Sequence, residues 1–494
     1  MAIEYTDNLP QFAYSAQQVQ QYEGKAAELS GTNLSALMQR AGSAAFQFIE
    51  NNHPKSSHIL VVTGKGNNAG DGFIVAERCR QAGFMVVVLV LFAPENLTGD
   101  AQQAFSQYQG KLVRCLDDID TEQFSVVVDA VFGTGFRGVL PEHVSRCFDT
   151  LNGLPLVRIA LDVPSGVNAT TGEVAASTLI ATTTVTFIAL KQGLLTGSAK
   201  RMVGELLLAD LGVSEAFKTL VTATSSFLNH QTLMAARPQR AADSYKNQHG
   251  HVLLIGGNRG MAGAIRLAAE AALRSGAGLV SVATHPDNTV CVLQGRYELM
   301  VHGVSDGEAL LPLLKKATVV VLGPGLGQDD WGQALFQRVI NTDIPLVVDA
   351  DGLNWLSRNP VKHANWVLTP HLGEAKRLLQ HSDAAFNESN RFAMATEISH
   401  QYSAVVVLKG PGSLITDGVR TNINRSGSAA MASAGMGDVL SGIIGSFIAQ
   451  GMEAFAATNL AVYIHGLAAQ RAAHDGEKGM LATDLFEHIR GIVG

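Results

Sequence analysis

Cysteine, charge and long apolar runs are all scarce in this sequence. The four cysteines among 494 residues, Cys79, Cys115, Cys147 and Cys291, stand far apart with no C-x-x-C pair, so neither a disulfide framework nor a zinc knot is expected. A reducing, cytoplasmic setting fits. Charged residues are 16% of the chain, against about 25% in an average soluble protein, which excludes a disordered chain and a coiled coil. The formal net charge of −7 argues against general attraction to nucleic acid or anionic membrane. The most apolar stretch, Phe84 to Ala93, is about half the roughly 20 residues that span a bilayer. The start, MAIEYTDNLPQF, lacks the basic and apolar regions of a secretory signal. What the chain has in plenty is glycine, 50 residues, or about 10% against a usual 7%, without the G-X-Y period of collagen. Glycine loops that serve small molecules are the expectation, with no nucleic acid and no membrane as partner.

Two helical stretches, Ala16 to Leu29 and Leu34 to Ile49, open the chain, the second with apolar residues at helical spacing. Strand, glycine loop and helix then alternate: His58 to Thr63, Gly64 to Gly72, Phe73 to Gln81 and the strand Phe84 to Phe92 form a βαβ unit. Further runs at Val126 to Val131, Leu156 to Leu161, Thr183 to Ile188 and Glu205 to Ala209 show no sustained alternation, as parallel strands covered on both faces should not. The rhythm breaks in a polar stretch around residue 222 and restarts at His251 to Ile255. It continues through a helix at Ala264 to Ser275, later strands up to Ala404 to Leu408, and an apolar helix from Asp438 to Ala449. Two α/β domains, 1–222 and 223–494, are expected.

The first domain carries two literal G-x-G-x-x-[GA] matches, Gly64 to Ala69 and Gly133 to Gly138. A dehydrogenase would need an acid at the tip of the second strand, and Leu91-Phe92-Ala93-Pro94 offers none. The longer run Gly64-Lys65-Gly66-Asn67-Asn68-Ala69-Gly70-Asp71-Gly72 leaves backbone N–H groups free for an anion, although Asn68 and Asp71 could equally cap the following helix. Two other strand ends, Asp129 before Gly133-Thr134-Gly135-Phe136-Arg137-Gly138 and Leu161-Asp162-Val163-Pro164-Ser165-Gly166, should open onto the same crevice. Their oxygens suit a hard cation, and the glycine amides suit phosphate.

In the second domain Gly256 to Gly263 and Gly323 to Gly327 follow strands, and neither is a P-loop. Thr369-Pro370-His371-Leu372-Gly373-Glu374 begins a helix, where His371 and Glu374 are either a cap with a polar pair or part of a site. Lys409-Gly410-Pro411-Gly412-Ser413 leaves a buried strand; the lysine could snorkel, or the loop could cradle phosphate. Most telling is Ser433-Ala434-Gly435-Met436-Gly437-Asp438-Val439-Leu440-Ser441-Gly442. Glycines and a helix N-terminus give free amides for a transferring phosphoryl group, and Asp438 gives a carboxylate that should stay ionised there and take a proton. Asp349 and Asp351, spaced to share one strand face, are open to a structural or a magnesium-linked role.

GKGNNAGDG, DAVFGTGFRG and LDVPSG together resemble the N-terminal domain of the bifunctional NAD(P)H-hydrate repair enzymes. GGNRGMAGA, GPGLG, DADGLN, TPHLGEAKRL, KGPGS and the G-x-G-D of Gly435 to Asp438 resemble the ribokinase-like dehydratase domain of the same enzymes. The resemblance implies a Rossmann-like doubly wound domain followed by a ribokinase-like α/β domain. It implies that the first interconverts the R and S hydrates of NADH and NADPH. On that match Asn67, Asn68, Ala69, Gly70 and Asp71, the loop Gly133, Thr134, Gly135, Phe136, Arg137, Gly138 and Val139, and Asp162 hold the hydrate, while Asn68, Asp129 and Ser165 ligate K⁺. Ala69 stands where many members have glycine. Asp162 is the expected proton-handling residue.

The second domain, by the same resemblance, dehydrates the S hydrate at the expense of ADP or ATP with Mg²⁺, through a phosphorylated intermediate. Ala264, Gly325, His371 and Asp438 then contact the hydrate, Lys409, Gly410, Pro411, Gly412, Ser413 and Gly437 hold the adenine nucleotide, and Asp438 is the general base. A homo-oligomer is the family expectation. The rival reading is a ribokinase-like small-molecule kinase carrying a non-catalytic N-terminal binding domain.

Overall fold

The computed structural model describes residues 5–6, 9–227, 230–380 and 390–494. The chain divides into two compact units, the first ending at Ser226 and the second beginning at Phe227. The first unit reaches beyond the polar break near residue 222 because Ser225–Ser226 pairs antiparallel with Phe12–Ala13. Among the described residues no helix is long and apolar enough to cross a membrane.

The sheet of the first unit runs in the order Tyr5–Thr6, Glu205–Ala209, Thr183–Phe187, Val157–Leu161, Val126–Ala130, His58–Thr63, Met85–Val90, Lys111–Val113. Only Tyr5–Thr6 is antiparallel to its neighbour. Along the central strand Ile59 and Val61 enter one buried cluster, with the helix Leu34–Asn52, while Leu60 and Val62 enter another, with the helix Glu142–Asn152. Alternate side chains point to opposite faces of a strand, so both faces are covered and the doubly wound expectation holds.

From His58–Thr63 the chain crosses to Met85–Val90 on one side, then returns to Val126–Ala130 on the other. That reversal is a topological switch point, where the loops beyond the strand ends splay apart and leave a crevice. Gly64 sits at the parting: a Cβ there would lie 2.0 Å from the Val131 carbonyl oxygen. The helix after it begins at Asn67 and not, as the two glycines suggest, at Phe73. Gly70 and Gly72 are helical because a Cβ at either would strike Met38 or Ala130 at 2.5 Å. Packing against neighbouring elements overrides glycine's poor helix propensity.

The second unit repeats the plan. Its strands run Met300–Gly303, Leu279–Thr284, His251–Ile255, Val319–Leu322, Leu346–Val348, Trp366–Leu368 and Val405–Leu408, all parallel. Leu414–Thr416 and Thr421–Ile423 then extend the sheet antiparallel. The switch point lies between His251–Ile255 and Val319–Leu322, where a Cβ on Gly256 would meet the Pro324 carbonyl oxygen at 2.1 Å. The helices Ala262–Arg274, Met436–Ala449, Ala454–Ala472 and Leu485–Val493 supply one buried layer with Val252 and Leu254. One expectation is corrected: Asp349 and Asp351 do not share a strand face, because the strand ends at Val348 and a helix starts at Asp351. Between them Ala350 turns the chain with φ 48°.

Candidate active sites

At the first switch point a crevice of about 730 Å³ is lined by Asn67, Asn68 and Asp71 from the helix start, by Gly133 to Arg137 and Val139 from the next loop, and by Asp162. Ala69 is fully buried and Gly70 faces Met38, so these two shape the helix beneath the crevice. Asp162 follows its strand with φ 64°, an uncommon conformation for a residue with a side chain. The turn aims its carboxylate at Lys191, whose Nζ donates to Oδ1 at 2.5 Å and to the Phe187 carbonyl at 2.7 Å. Oδ1 also accepts from the Phe187 N–H at 3.2 Å.

Neither Lys191, 1% exposed, nor Glu23, on the helix Ala16–Leu29 and also lining the crevice, was reached by sequence reasoning. For Lys191 the available signal was a lysine inside the apolar run Ile188 to Leu195. Glu23 gave none, since it stands in a polar stretch that reads as a solvated helix face. Burial pushes Glu23 up to about 7, reinforced by the charge of Asp162 and opposed by Lys191. Burial, with Asp162 and Glu23 adding to it, also holds Asp71 well above the usual carboxylate range. The crevice thus contains one ion pair and two carboxyls that resist ionisation.

Beside it lies an oxygen-rich pocket. The buried Asp129 carboxylate accepts from Ser165 Oγ at 2.6 Å, Ser165 N–H at 2.8 Å and Val131 N–H at 3.2 Å. Asn68 Nδ2 donates to the Phe132 carbonyl at 3.1 Å, and Ser165 Oγ accepts from the Phe132 N–H at 2.7 Å. Asn68 Oδ1 is buried with no hydrogen-bond partner, an uncommon state for a buried acceptor. Burial pushes Asp129 up to about 6 despite its hydrogen bonds. A cation among these oxygens would satisfy the orphaned acceptor and offset the buried charge, and the donor set is that of a hard ion.

In the second unit Lys409, at the end of Val405–Leu408, reaches back to Asp349 Oδ1 at 2.8 Å and lies 3.8 Å from Glu374 Oε2. Ser441 Oγ donates to Asp349 Oδ2 at 2.5 Å. Burial would raise Asp349, but the charge and hydrogen bond of Lys409, with Ser441 and Thr369, hold it below its ordinary value. The helix Met436–Ala449 starts beside this pair: Gly435 precedes it with φ 86°, and a Cβ on Gly437 would lie 3.3 Å from Lys409 Nζ. Asp438 projects from the first turn. Contrary to the expectation of a fully ionised carboxylate, burial and the charge of Asp349 push it up to about 7, with Lys409 opposing. Desolvation outweighs the helix terminus here.

His371 caps the helix Leu372–Leu378, its Nδ1 accepting from Gly373 N–H at 2.9 Å. Glu374 returns the bond to the His371 N–H at 2.8 Å, so the capping arrangement exists while the His371 ring remains exposed. Ala264 and Gly325 meet at the switch point, where a Cβ on Gly325 would touch that of Ala264 at 3.4 Å. Lys409 to Ser413 form the turn of the hairpin between Val405–Leu408 and Leu414–Thr416, closed by Ser413 Oγ donating to the Gly410 carbonyl at 2.9 Å. Asp351 is committed to the neighbouring glycine loop, accepting from Gly327 N–H and Gln328 Nε2, each at 2.9 Å. Sequence reasoning quotes Ser441 without giving it a role and does not reach His465, a buried ring pushed down to about 4 by burial and the charge of Lys409.

Fold and sites together define a two-unit α/β enzyme with a Rossmann-like half and a ribokinase-like half. Residues 34–193 match the family model of the YjeF-related protein N-terminus, and residues 252–490 match that of NAD(P)H-hydrate dehydratase. A bifunctional NAD(P)H-hydrate repair enzyme of Coxiella burnetii is 43% identical over 486 residues, covering 97% of this chain and 99% of that protein. One from Escherichia coli K12 is 41% identical, covering 98% of this chain and 95% of its own length. A solved ribokinase-like superfamily protein from Enterococcus faecalis superposes with a TM-score of 0.51 at 29% identity, over 55% of this chain and 96% of that one. The chain belongs to the family of bifunctional NAD(P)H-hydrate repair enzymes.

Proposed function

We propose that the chain restores hydrated NADH and NADPH in two steps, each unit carrying one. The first unit, which contains the expected 1–222 domain, epimerises the R and S hydrates; the second, which begins at Phe227 within the expected 223–494 domain, dehydrates the S form with ADP or ATP. Family membership supports both activities. The observation that carries the mechanism is Asp438 at the glycine-flanked start of Met436–Ala449, beside the Lys409–Asp349 pair.

Hydroxide is a poor leaving group, so the hydrate's hydroxyl must first be made into a better one. Asp438 removes the hydroxyl proton as the oxygen attacks the terminal phosphorus of the nucleotide, and the bond from that phosphorus to the departing nucleotide breaks. The N–H groups at the start of Met436–Ala449, Gly437 among them, bind phosphoryl oxygens in this reading, with the helix N-terminus contributing partial positive charge, and the turn Lys409 to Ser413 holds the adenine nucleotide. Ring-nitrogen electrons then expel phosphate, and loss of a neighbouring ring proton restores the reduced nicotinamide. Ala264, Gly325 and His371 contact the hydrate in this reading. A carboxyl near 7 suits a group that must accept a proton at neutral pH.

In the first unit Asn67, Asn68, Asp71, the Gly133 to Val139 loop and Asp162 hold the hydrate. Asn68, Asp129 and Ser165 would hold K⁺, which supplies a positive charge beside the crevice when bound. Mg²⁺ does not fit these two carboxylates: Asp349 is taken by Lys409 and Ser441, and Asp351 by its loop, so neither is free to ligate it. The test is S hydrate with nucleotide and Mg²⁺. Appearance of NADH absorbance with stoichiometric phosphate supports this reading; a stable phosphorylated product without NADH supports the kinase reading.

A further inference from the structure

The crevice of the first unit has a carboxyl outside the residues that hold the hydrate and the cation. Glu23 lies on Ala16–Leu29, before the stretch 34–193 that matches the family model. It lines the crevice, yet it makes no hydrogen bond and no ion pair among the described residues. The titratable groups around it come from every side: Asp71 from Asn67–Gln81, Asp162 at the end of Val157–Leu161, Lys191 after Thr183–Phe187, and Lys65, Asp100 and Arg137 at the lining. Lys191 is committed to Asp162. Asp71 is buried to 8% exposure. Neither Glu23 nor Asp71 has a hydrogen-bond or ion-pair partner among the described residues, and of the two Glu23 is the more accessible carboxyl beside the Asp162–Lys191 pair.

Resting on the reading of this unit as an epimerase, we propose that Glu23 and Asp162 are its two proton-transferring residues, one for each face of the hydrated ring. Inversion at a hydroxyl-bearing carbon beside the ring nitrogen needs no oxidant. The carboxyl of Glu23 gives its proton to the hydroxyl; the C–O bond breaks, its electron pair leaving with water, and the nitrogen lone pair forms a C=N⁺ bond. Water adds to the other face of the same carbon, its oxygen supplying the new C–O electron pair, and the Asp162 carboxylate takes the released proton. In the reverse direction protonated Asp162 donates and the Glu23 carboxylate accepts, so atoms and protons balance over the pair. The two groups differ in their surroundings as this requires: Asp162 Oδ1 is paired with Lys191 Nζ at 2.5 Å, while Glu23 has no such partner and burial pushes it up to about 7, which leaves a donor present at neutral pH. The carboxylates also favour the cationic ring over its neutral parent.

The full-length chain, in buffer with K⁺, is given the R hydrate alone in H₂¹⁸O, and formation of S is followed between pH 5.5 and 8.5. Wild type should form ¹⁸O-labelled S, with kcat/KM for R falling as pH rises through about 7. Glu23→Gln should lose about 10²-fold or more in kcat, with KM little changed and the pH limb gone. Glu23→Asp, which keeps a carboxyl, should retain the limb at reduced kcat. Wild-type kcat and an unchanged limb in Glu23→Gln, or loss of the limb in Glu23→Asp, overturns the proposal. Unlabelled S overturns the C–O cleavage. No epimerisation by wild type at all means instead that the assignment of the unit is wrong.

Discussion

Asp438 illustrates how one residue's position and environment pull in opposite directions. The first turn of a helix favours a negative carboxylate, but burial and the nearby charge of Asp349 push Asp438 up to about 7. Dehydratase activity should therefore rise with pH through about 7 as the base ionises, and Asp438→Asn should lose about 10²- to 10⁴-fold in kcat while nucleotide affinity stays close to wild type. The same shift bears on stability. A carboxyl whose pKa rises on folding contributes stability below its unfolded value of 3.8, and that contribution is lost as pH climbs to about 7. The Tm of Asp438→Asn relative to wild type should accordingly increase across that window and level off above it; a difference independent of pH would show that the charge is not strained by burial. In the other unit, the orphaned Asn68 Oδ1 and the buried Asp129 argue for a hard cation, which we take to be K⁺. Titrating K⁺ against Na⁺ at constant ionic strength should raise epimerase activity in wild type, and Asp129→Asn should lose that response; equal activity in both ions would count against the site.

At the scale of elements, strands were the most legible feature, because short β-branched runs covered on both faces have few alternatives. The ends of the strands named from the sequence agree to within a residue or two, as at Val126–Ala130 and Val405–Leu408, whereas the short strands Lys111–Val113, Met300–Gly303, Leu414–Thr416 and Thr421–Ile423 carry too few apolar residues to be read. The helix Asn67–Gln81 was less legible. Its first turns contain glycines that local propensity assigns to a loop, and only the approach of Met38 and Ala130 requires them. Lys191 and Glu23 were invisible for a related reason: a lysine in an apolar run and a glutamate on a polar helix become a site only when the fold brings them to Asp162 and Asp71. Close approach also makes a prediction. Gly64→Ala places a methyl 2.0 Å from the Val131 carbonyl oxygen at the parting of two central strands. It should destabilise the first unit by about 1–3 kcal/mol or more, seen as a lower urea midpoint for epimerase loss while that for dehydratase loss stays in place.

For the whole molecule, each compact unit has its own set of parallel strands, switch point and buried clusters, so each should fold and act alone. A fragment ending at Ser226 should epimerise without dehydrating, and one beginning at Phe227 should consume only the S hydrate; inactivity of both folded fragments would contradict that separation. The two activities depend on each other only through the substrate: a dehydratase selective for S leaves R behind unless an epimerase feeds it. The most direct test of the account is one absorbance trace. An equal mixture of R and S hydrates is incubated with the full-length chain, K⁺, nucleotide and Mg²⁺, and NADH formation is followed to completion. Wild type should convert both epimers, Asp162→Asn should stop after a rapid phase that consumes the S hydrate, and Asp438→Asn should form NADH about 10²- to 10⁴-fold more slowly while still equilibrating R with S. Conversion by Asp438→Asn at the wild-type rate, or an undiminished second phase in Asp162→Asn, would contradict it.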